Sequence, residues 1–115
     1  MSLGSDQREF SLDVASLIGF IYLRGYECTL GDAFRDPRTH GPMHVQGVYG
    51  HPKSAHKQRL AIDLNLFKDG VYLTETADHK QFGDFWKDLN PANRWGGDFK
   101  RPDGNHYSRN HGGIA

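Results

Sequence analysis

Apolar side chains recur at helical spacing in the first quarter of the chain. This spacing predicts a first helix, with Ser5 or Asp6 as its N-cap and Gly25 as its stop. A second stripe with the i, i+3, i+4, i+7 pattern predicts another helix, which ends at Asn90 and Pro91. The apolar positions of the two stripes are Phe10, Val14, Leu17, Ile18 and Ile21, and Phe82, Phe85, Trp86 and Leu89.

Between the two helical patterns the sequence favours strands. Residues 61–67, AIDLNLF, alternate, with aliphatic side chains on one face and Asp63 and Asn65 on the other, as in a half-buried strand. The KDG sequence at 68–70 is a hairpin signal, and it predicts an antiparallel partner at 71–74.

Further strands flank this hairpin pattern. Residues 26–35 have strand character, and residues 36–53 are rich in Gly and Pro and long enough for a functional loop or lid. Residues 93–108 predict two short extended pieces joined by a turn at PDG. The element order therefore predicts an α+β fold with a small antiparallel sheet packed against helices.

Length and charge restrict the possible functions. The chain has 115 residues, which fits a single domain spanning 1–115. Lys plus Arg and Asp plus Glu are equal at 14 each, so we expect no nucleic-acid partner. Cys28 is the only cysteine, which excludes an intrachain disulfide and a cysteine-rich zinc site; a small, buried apolar role is expected for it.

The longest apolar segment, residues 14–23, is about half of the ~20 residues that a membrane-spanning helix requires. We therefore expect a core helix and no membrane insertion. Asp6, Glu9 and Asp13 precede this segment, where a signal peptide would carry basic residues. A protein made in the cytoplasm and held there until it is released is the expectation.

Two of the seven histidines stand in a context that suggests metal binding. His56 precedes Asp63 by seven positions, and in a regular strand this odd spacing would place the two side chains on opposite faces. A bend within residues 57–60 would let them converge, and His106 in the final hairpin could supply a third ligand. Two imidazoles and a carboxylate suit a zinc ion whose fourth position remains open for catalysis.

Asp103 lies three residues before His106 and is a candidate general base. A zinc-bound water has its pKa lowered to about 7, and a carboxylate in reach could take its proton. The alternative is that Asp103 only forms the turn before Gly104.

Two motifs resemble a known family. SAHKQRLAID at 54–63 resembles the SxHxxGxAxD signature of the zinc D-alanyl-D-alanine carboxypeptidases and L-alanyl-D-glutamate endopeptidases, whose fold is shared with the Hedgehog signalling domain. WGGDF at 95–99 and DGNH at 103–106 resemble the closing motif of that family. The resemblance covers nearly the whole chain, and it is strongest to small single-domain bacteriophage endolysins.

The resemblance implies that one zinc ion is bound by His56, Asp63 and His106, with Asp103 as the catalytic base. Arg35 is similar in placement to a family arginine that binds a substrate carboxylate or the developing oxyanion. An ordinary surface arginine at a strand end is the alternative.

Other motif positions have supporting roles or alternative ones. Ser54 either orients a ligand, contacts substrate or caps its turn, and Trp95 and Phe99 are expected to pack beneath the site rather than to stack on substrate. Arg59 replaces the usual glycine, so that either the turn does not need a positive φ or its bend differs. Tyr-Ser follows His106 in place of Phe-Glu, which removes an expected support for that histidine. The loop histidines His40, His44 and His51 are expected to have no role.

The resemblance implies a bacteriolytic, antimicrobial zinc peptidase that cuts the L-alanyl-D-glutamate bond of the peptidoglycan stem peptide. We expect a monomeric endolysin, held in the host bacterial cytoplasm until it is released to the cell wall. One alternative is a D-alanyl-D-alanine carboxypeptidase or cross-link endopeptidase with the same site. Others are a non-catalytic, zinc-stabilised binding module and a structural virion protein.

Overall fold

The computed structural model of the chain describes residues 2–36, 43 and 53–115. Most of the predicted loop, with its three histidines, lies outside these residues. Within them the fold is α+β, as predicted. Its helices are α1 (Leu3–Leu23) and α2 (Lys80–Leu89), and its strands are β1 (Glu27–Leu30), β2 (Ala61–Lys68), β3 (Val71–Leu73), β4 (Asn93–Trp95) and β5 (His106–Arg109).

The five strands form one antiparallel sheet with β2 at its centre. The sheet order is β1-β2-β5-β4, and β3 also pairs with β2. Since Leu66 pairs with both Cys28 of β1 and Leu73 of β3, β3 must share the other edge of β2 with β5. The long strand β2 therefore pairs directly with three of the other four strands, namely β1, β3 and β5.

Helix α1 has the predicted end but a different start. The prediction of Ser5 or Asp6 as N-cap is wrong, because the Ser2 hydroxyl accepts the backbone N–H of Ser5 at 3.1 Å and the helix begins at Leu3. Gly25 ends the helix at φ 83°, where its backbone N–H donates to the carbonyl of Tyr22. No described helix is both long enough and apolar enough to cross a membrane.

The two helices pack together on the sheet through their predicted apolar faces. The Phe10 and Trp86 rings meet edge to face, with centroids 5.6 Å apart. The indole N–H of Trp86 donates to the carbonyls of Arg94 and Ser108, both at 2.9 Å. Because Arg94 and Ser108 lie on the paired strands β4 and β5, Trp86 fixes α2 against that edge of the sheet.

The predicted hairpin between β2 and β3 is confirmed. Its turn residues Asp69 and Gly70 have φ values of 51° and 78°, as a two-residue turn with a left-handed backbone requires. The two extended pieces predicted in 93–108 are also confirmed, with Trp95 opposite Tyr107. Their connection, residues 96–105, is longer than the predicted turn at PDG and includes the 3₁₀ turn Gly96–Asp98.

A buried ionic network joins α1 to the end of β5. The Arg109 side chain is 2% exposed, and its guanidinium lies 2.7 Å from a carboxylate oxygen of Glu9 and 3.1 Å from one of Asp13. Asp6 is 3.5 Å away. Removing the Arg109 side chain would leave the largely buried Asp13 carboxylate without its cation, and breaking a buried ion pair in this way typically costs about 3–5 kcal/mol.

A buried polar pair lies between the turn that precedes α2 and the sheet. The Nδ1 atom of His79 is 2.7 Å from the Tyr107 hydroxyl. Burial lowers the pKa of His79 to about 4 and raises the pKa of Tyr107, so near pH 7 the imidazole is neutral and the phenol keeps its proton. The hydrogen bond therefore joins two neutral groups, and it fixes the His79 ring against β5.

Candidate metal centre

Three predicted ligand residues converge at the junction of β2 and β5. The sheet register places Asp63 directly opposite His106, so their side chains lie on the same face. His56 reaches them from the 3₁₀ turn Ala55–Gln58. The candidate ligand atoms of the three residues all lie within 4.8 Å of one another.

The chain bends between His56 and Asp63 in the segment where the spacing required a bend. Ser54 begins the 3₁₀ turn, and Arg59 ends it with φ 58° and ψ 36°, in the left-handed region. The turn therefore needs a positive φ, and the alternative that it does not is wrong. Arginine has a side chain that makes this backbone conformation less favourable than it is for glycine. Its guanidinium carbon lies 4.2 Å from the centre of the Phe34 ring, in a cation–π contact.

The polar atoms of the group suit a bound cation. The Nδ1 atom of His56 is 3.3 Å from the carbonyl oxygen of Ala33, which can only accept, so Nδ1 carries the proton and Nε2 presents a lone pair. That Nε2 lies 3.3 Å from Oδ1 of Asp63, while Nδ1 of His106 lies 3.5 Å from the same oxygen.

Oδ1 of Asp63 is buried, and no described residue makes a hydrogen bond with it. A metal ion would satisfy this oxygen together with the lone pair of His56. A His₂Asp donor set is one that zinc accepts with a position left open.

Asp63 is held in its ionised form. Burial acts to raise the pKa of its carboxyl, but interactions with His106 and His56 outweigh burial and lower the pKa to about 2. A carboxylate is thus present at any pH near neutrality.

The second nitrogen of His106 lacks a supporting hydrogen bond. Its Nε2 atom is buried and has no hydrogen-bond partner among the described residues. This agrees with the expectation that Tyr-Ser after His106, in place of Phe-Glu, removes a support for that histidine.

Asp103 enters the site through a tightly closed loop. Its backbone N–H donates to the carbonyl of Gly96 at 2.8 Å, and its own carbonyl accepts the backbone N–H of His106 at 3.1 Å. A Cβ at Gly96 would collide with the Asp103 carbonyl and press on the Cβ of His106. Glycine in the WGG motif is therefore what lets Asp103 and His106 approach the same strand end.

A cavity of about 580 Å³ contains the three converging residues and Asp103. Arg35 lines this cavity with a side chain only 12% exposed, which does not fit an ordinary surface arginine. Its Nη1 donates to the Ser54 hydroxyl at 2.9 Å, and the same hydroxyl accepts the backbone N–H of His56 at 3.2 Å. Ser54 therefore caps the turn and also orients Arg35.

The two aromatic residues of the closing motif have different surroundings. Trp95 is buried in the core, as expected, and its indole N–H donates to the carbonyl of Gly104 at 2.8 Å. Phe99 is only partly buried, lines the cavity, and lies with its ring 5.3 Å from the His106 ring. The expectation that both rings pack beneath the site holds for Trp95, while Phe99 also forms part of the cavity wall.

Several cavity residues were not found from the sequence. Lys53 and Arg101 extend the positive charge of Arg35 around the cavity, and residues 113–115 form another part of its wall. Both cations stand beside a recognised motif, which is a signal that could have found them. Ile114 has no such signal, because it follows a glycine pair and reaches the cavity only after that turn.

Comparison with known proteins identifies the class of enzyme. The sequence model of a family described as D-alanyl-D-alanine carboxypeptidase matches residues 49–109, more than half of the chain, and the chain belongs to this family. It is a metallopeptidase that acts on peptidoglycan. No curated protein matches the chain.

The fold is also similar to a solved structure. The crystal structure of the Serratia marcescens L-Ala D-Glu endopeptidase ChiX superposes with a TM-score of 0.64 at 18% sequence identity. The match covers 93% of this chain and 85% of the other chain. At this identity the likeness establishes the shared fold.

Removal of any one converging residue should abolish metal binding. We expect the wild-type protein to retain one zinc ion per chain after dialysis, whereas His56→Ala, Asp63→Ala and His106→Ala retain little, because two remaining ligands hold the ion weakly. His111→Ala is the matched control, since His111 lies outside the group. Elemental analysis of the dialysed proteins measures the ratio, and full zinc content in the three variants would contradict the assignment.

The turn at Arg59 should reveal its strain through a pair of substitutions. We expect Arg59→Gly to be more stable than Arg59→Ala by about 1 kcal/mol, because only glycine adopts this backbone without a steric cost. At Gly19, which is helical and has open space around a built Cβ, alanine should instead be the more stable residue. Urea unfolding of the variants provides the comparison, and equal stability of the two Arg59 variants would show that the turn imposes no strain.

Proposed function

We propose that the chain is a zinc-dependent L-alanyl-D-glutamate endopeptidase of the bacteriophage endolysin type. The observation that carries this proposal is the presence of the His56, Asp63 and His106 group, Asp103 and Arg35 in one cavity. Zinc is favoured because two imidazoles and one carboxylate are typical ligands of its catalytic sites.

Each group around the cavity has a separate role in the proposed peptide hydrolysis. Zinc would polarise the scissile carbonyl and lower the pKa of the attacking water. Asp103 takes the proton of that water and returns it to the leaving amine, so that one carboxylate acts first as base and then as acid. Arg35 donates hydrogen bonds to negative charge that develops on the substrate. No covalent intermediate is required.

The charge of the cavity supports a bond next to an acidic residue. Arg35, Lys53 and Arg101 all line the cavity, which favours a peptide that carries carboxylates. In the stem peptide, D-glutamate supplies a carboxylate immediately after the L-alanyl bond. The Serratia marcescens protein of similar fold is an L-Ala D-Glu endopeptidase, which supports this choice.

A D-alanyl-D-alanine carboxypeptidase is the second candidate. The family description favours it, and the same cationic cavity would accept the carboxylate of a terminal D-alanine. The two activities differ in their products, because the carboxypeptidase releases only the terminal residue.

Digestion of purified Gram-negative-type peptidoglycan tests the proposal directly. We expect the zinc-loaded protein to create new L-alanine carboxyl ends and D-glutamate amino ends, as identified by mass spectrometry. Chelation should abolish these products, and Asp103→Asn should lower the rate by about 10²–10⁴-fold, as expected for loss of a general base. Asp98→Asn, an exposed acid of the same loop that pairs with Lys87, is the matched control and should remain active.

Release of D-alanine alone would replace the endopeptidase with the carboxypeptidase. Intact muropeptides in every sample would contradict both activities.

We also propose that the enzyme is made in the host bacterial cytoplasm and reaches the wall through a separate pore-forming protein. Support comes from the resemblance of its motifs to small endolysins. Expression in a Gram-negative host should leave cells intact until a pore-forming protein is co-expressed, and culture turbidity should then fall. The Asp103→Asn variant should not lyse the cells under either condition. Lysis by the active enzyme without the pore-forming protein would contradict this route.

A further inference from the structure

A second cavity, of about 230 Å³, lies beside the catalytic cavity, and Asp103 lines both. Its walls come from β2, β3, the turn before α2 and the loop that leads to β5. The polar side chains that line it include Asn65, Tyr72, Thr74, Thr76, His79 and Asn105. The mechanism described above uses none of these six residues.

The lining of this second cavity is polar without being charged. Apart from Asp103, no described residue in the lining carries a charge near pH 7, since His79 is neutral. An anionic ligand would find no positive partner among these residues. Hydroxyl and amide groups instead suit a neutral ligand that has hydroxyl and amide groups of its own.

Tyr72 adds a flat surface at the edge of the cavity. It is 52% exposed, and its ring lies 5.3 Å from the Phe67 ring at an angle of 32°, so its position is supported from one side. A tyrosine offers an apolar ring face together with a polar hydroxyl. This combination matches a sugar ring, which also has an apolar face and a hydroxyl-bearing edge.

The two cavities differ in charge in the same way as the two sides of the proposed scissile bond. The catalytic cavity carries Arg35, Lys53 and Arg101, whereas the second cavity is neutral except for Asp103. On one side of the L-alanyl-D-glutamate bond lies a carboxylate. On the other side, one residue away, lies the amino sugar to which L-alanine is attached. The sugar ring is separated from this bond by L-alanine, which spans at most about 3.6 Å, and by the lactyl group, so the cavity that shares Asp103 with the catalytic cavity is the place where it would bind.

We propose that the second cavity is a subsite for the amino sugar that carries the stem peptide. This inference rests on the proposed endopeptidase function, because the sugar is adjacent to the L-alanyl bond but several residues from the D-alanyl-D-alanine bond. The enzyme would then prefer stem peptides attached to the glycan over free stem peptides. Asp103, between the two cavities, would stand beside the bond that joins their ligands.

The test compares two substrates with the same stem peptide. One carries the disaccharide on L-alanine, and the other carries only a lactyl group, so that both have an amide at this position. We expect kcat/KM of the wild-type enzyme for the disaccharide substrate to be about tenfold higher, as a measure of contacts made only with sugar. Mass spectrometry of the products confirms which bond is cut.

Variants of the second cavity should remove this preference. Tyr72→Ala and the near-isosteric Thr76→Val should lower kcat/KM for the disaccharide substrate and leave the lactyl substrate unchanged. Val71→Ala is the matched control, because Val71 is an exposed neighbour on β3 that is not among the described residues of the cavity lining. Two variants at separate positions guard against a folding defect in either one, which circular dichroism would detect.

The outcomes separate the subsite from the function on which it rests. Equal rates of L-alanyl-D-glutamate cleavage for the two substrates would overturn the subsite and leave the endopeptidase intact. The same reduction for both substrates in Tyr72→Ala and Thr76→Val would show that the cavity binds the peptide rather than the sugar. No cleavage of this bond in either substrate would overturn the endopeptidase, and the sugar subsite with it.

Discussion

The pairing of β2 with β5 is the constraint on which the site depends. Asp63 and His106 are direct partners in this antiparallel pair, and Leu64 continues the contact through its backbone N–H to the carbonyl of Asn105 at 2.9 Å. A shift of one residue in the pairing would turn Asp63 or His106 to the opposite face of the sheet and separate the candidate metal ligands. The aliphatic residues that alternate with Asp63 oppose such a shift, because they would leave the core.

Neighbouring features hold that pairing in place. At the far end of β5, Arg109 donates its backbone N–H to the carbonyl of Leu60 and uses its guanidinium to bind the acids of α1. The strand that presents a candidate metal ligand at its start is thus fastened to the first helix at its end. At the near end, Gly96 permits the backbone contact that joins Asp103 to the same strand.

Local patterns in the sequence predicted much of the fold. The helical stripes and the alternation around Asp63 show which face of each element is buried, and this can be predicted from the residues of that segment alone. The prediction misplaced the start of α1 because Ser2, Ser5 and Asp6 can all cap a helix, and the local sequence does not select among them.

The site was predicted from motif spacing and resemblance, and features that depend on tertiary contacts were not. The sequence assigned no structural partner to Asp6, Glu9 and Asp13, although they surround Arg109, which lies about a hundred residues later. The exposure of Phe99 to the cavity likewise depends on how the closing loop folds over β5. Such arrangements bring together residues that are far apart in the sequence, and the periodicity of a local segment does not predict them.

The left-handed turn at Arg59 has a consequence for how this enzyme family can vary. Its steric cost, of about 1 kcal/mol, is small beside the about 5–15 kcal/mol by which folded domains are stable. The active site needs the shape of the turn, and arginine supplies that shape here at a modest loss. Arginine can therefore take the place of the glycine in the family signature at a cost that a folded domain of ordinary stability tolerates.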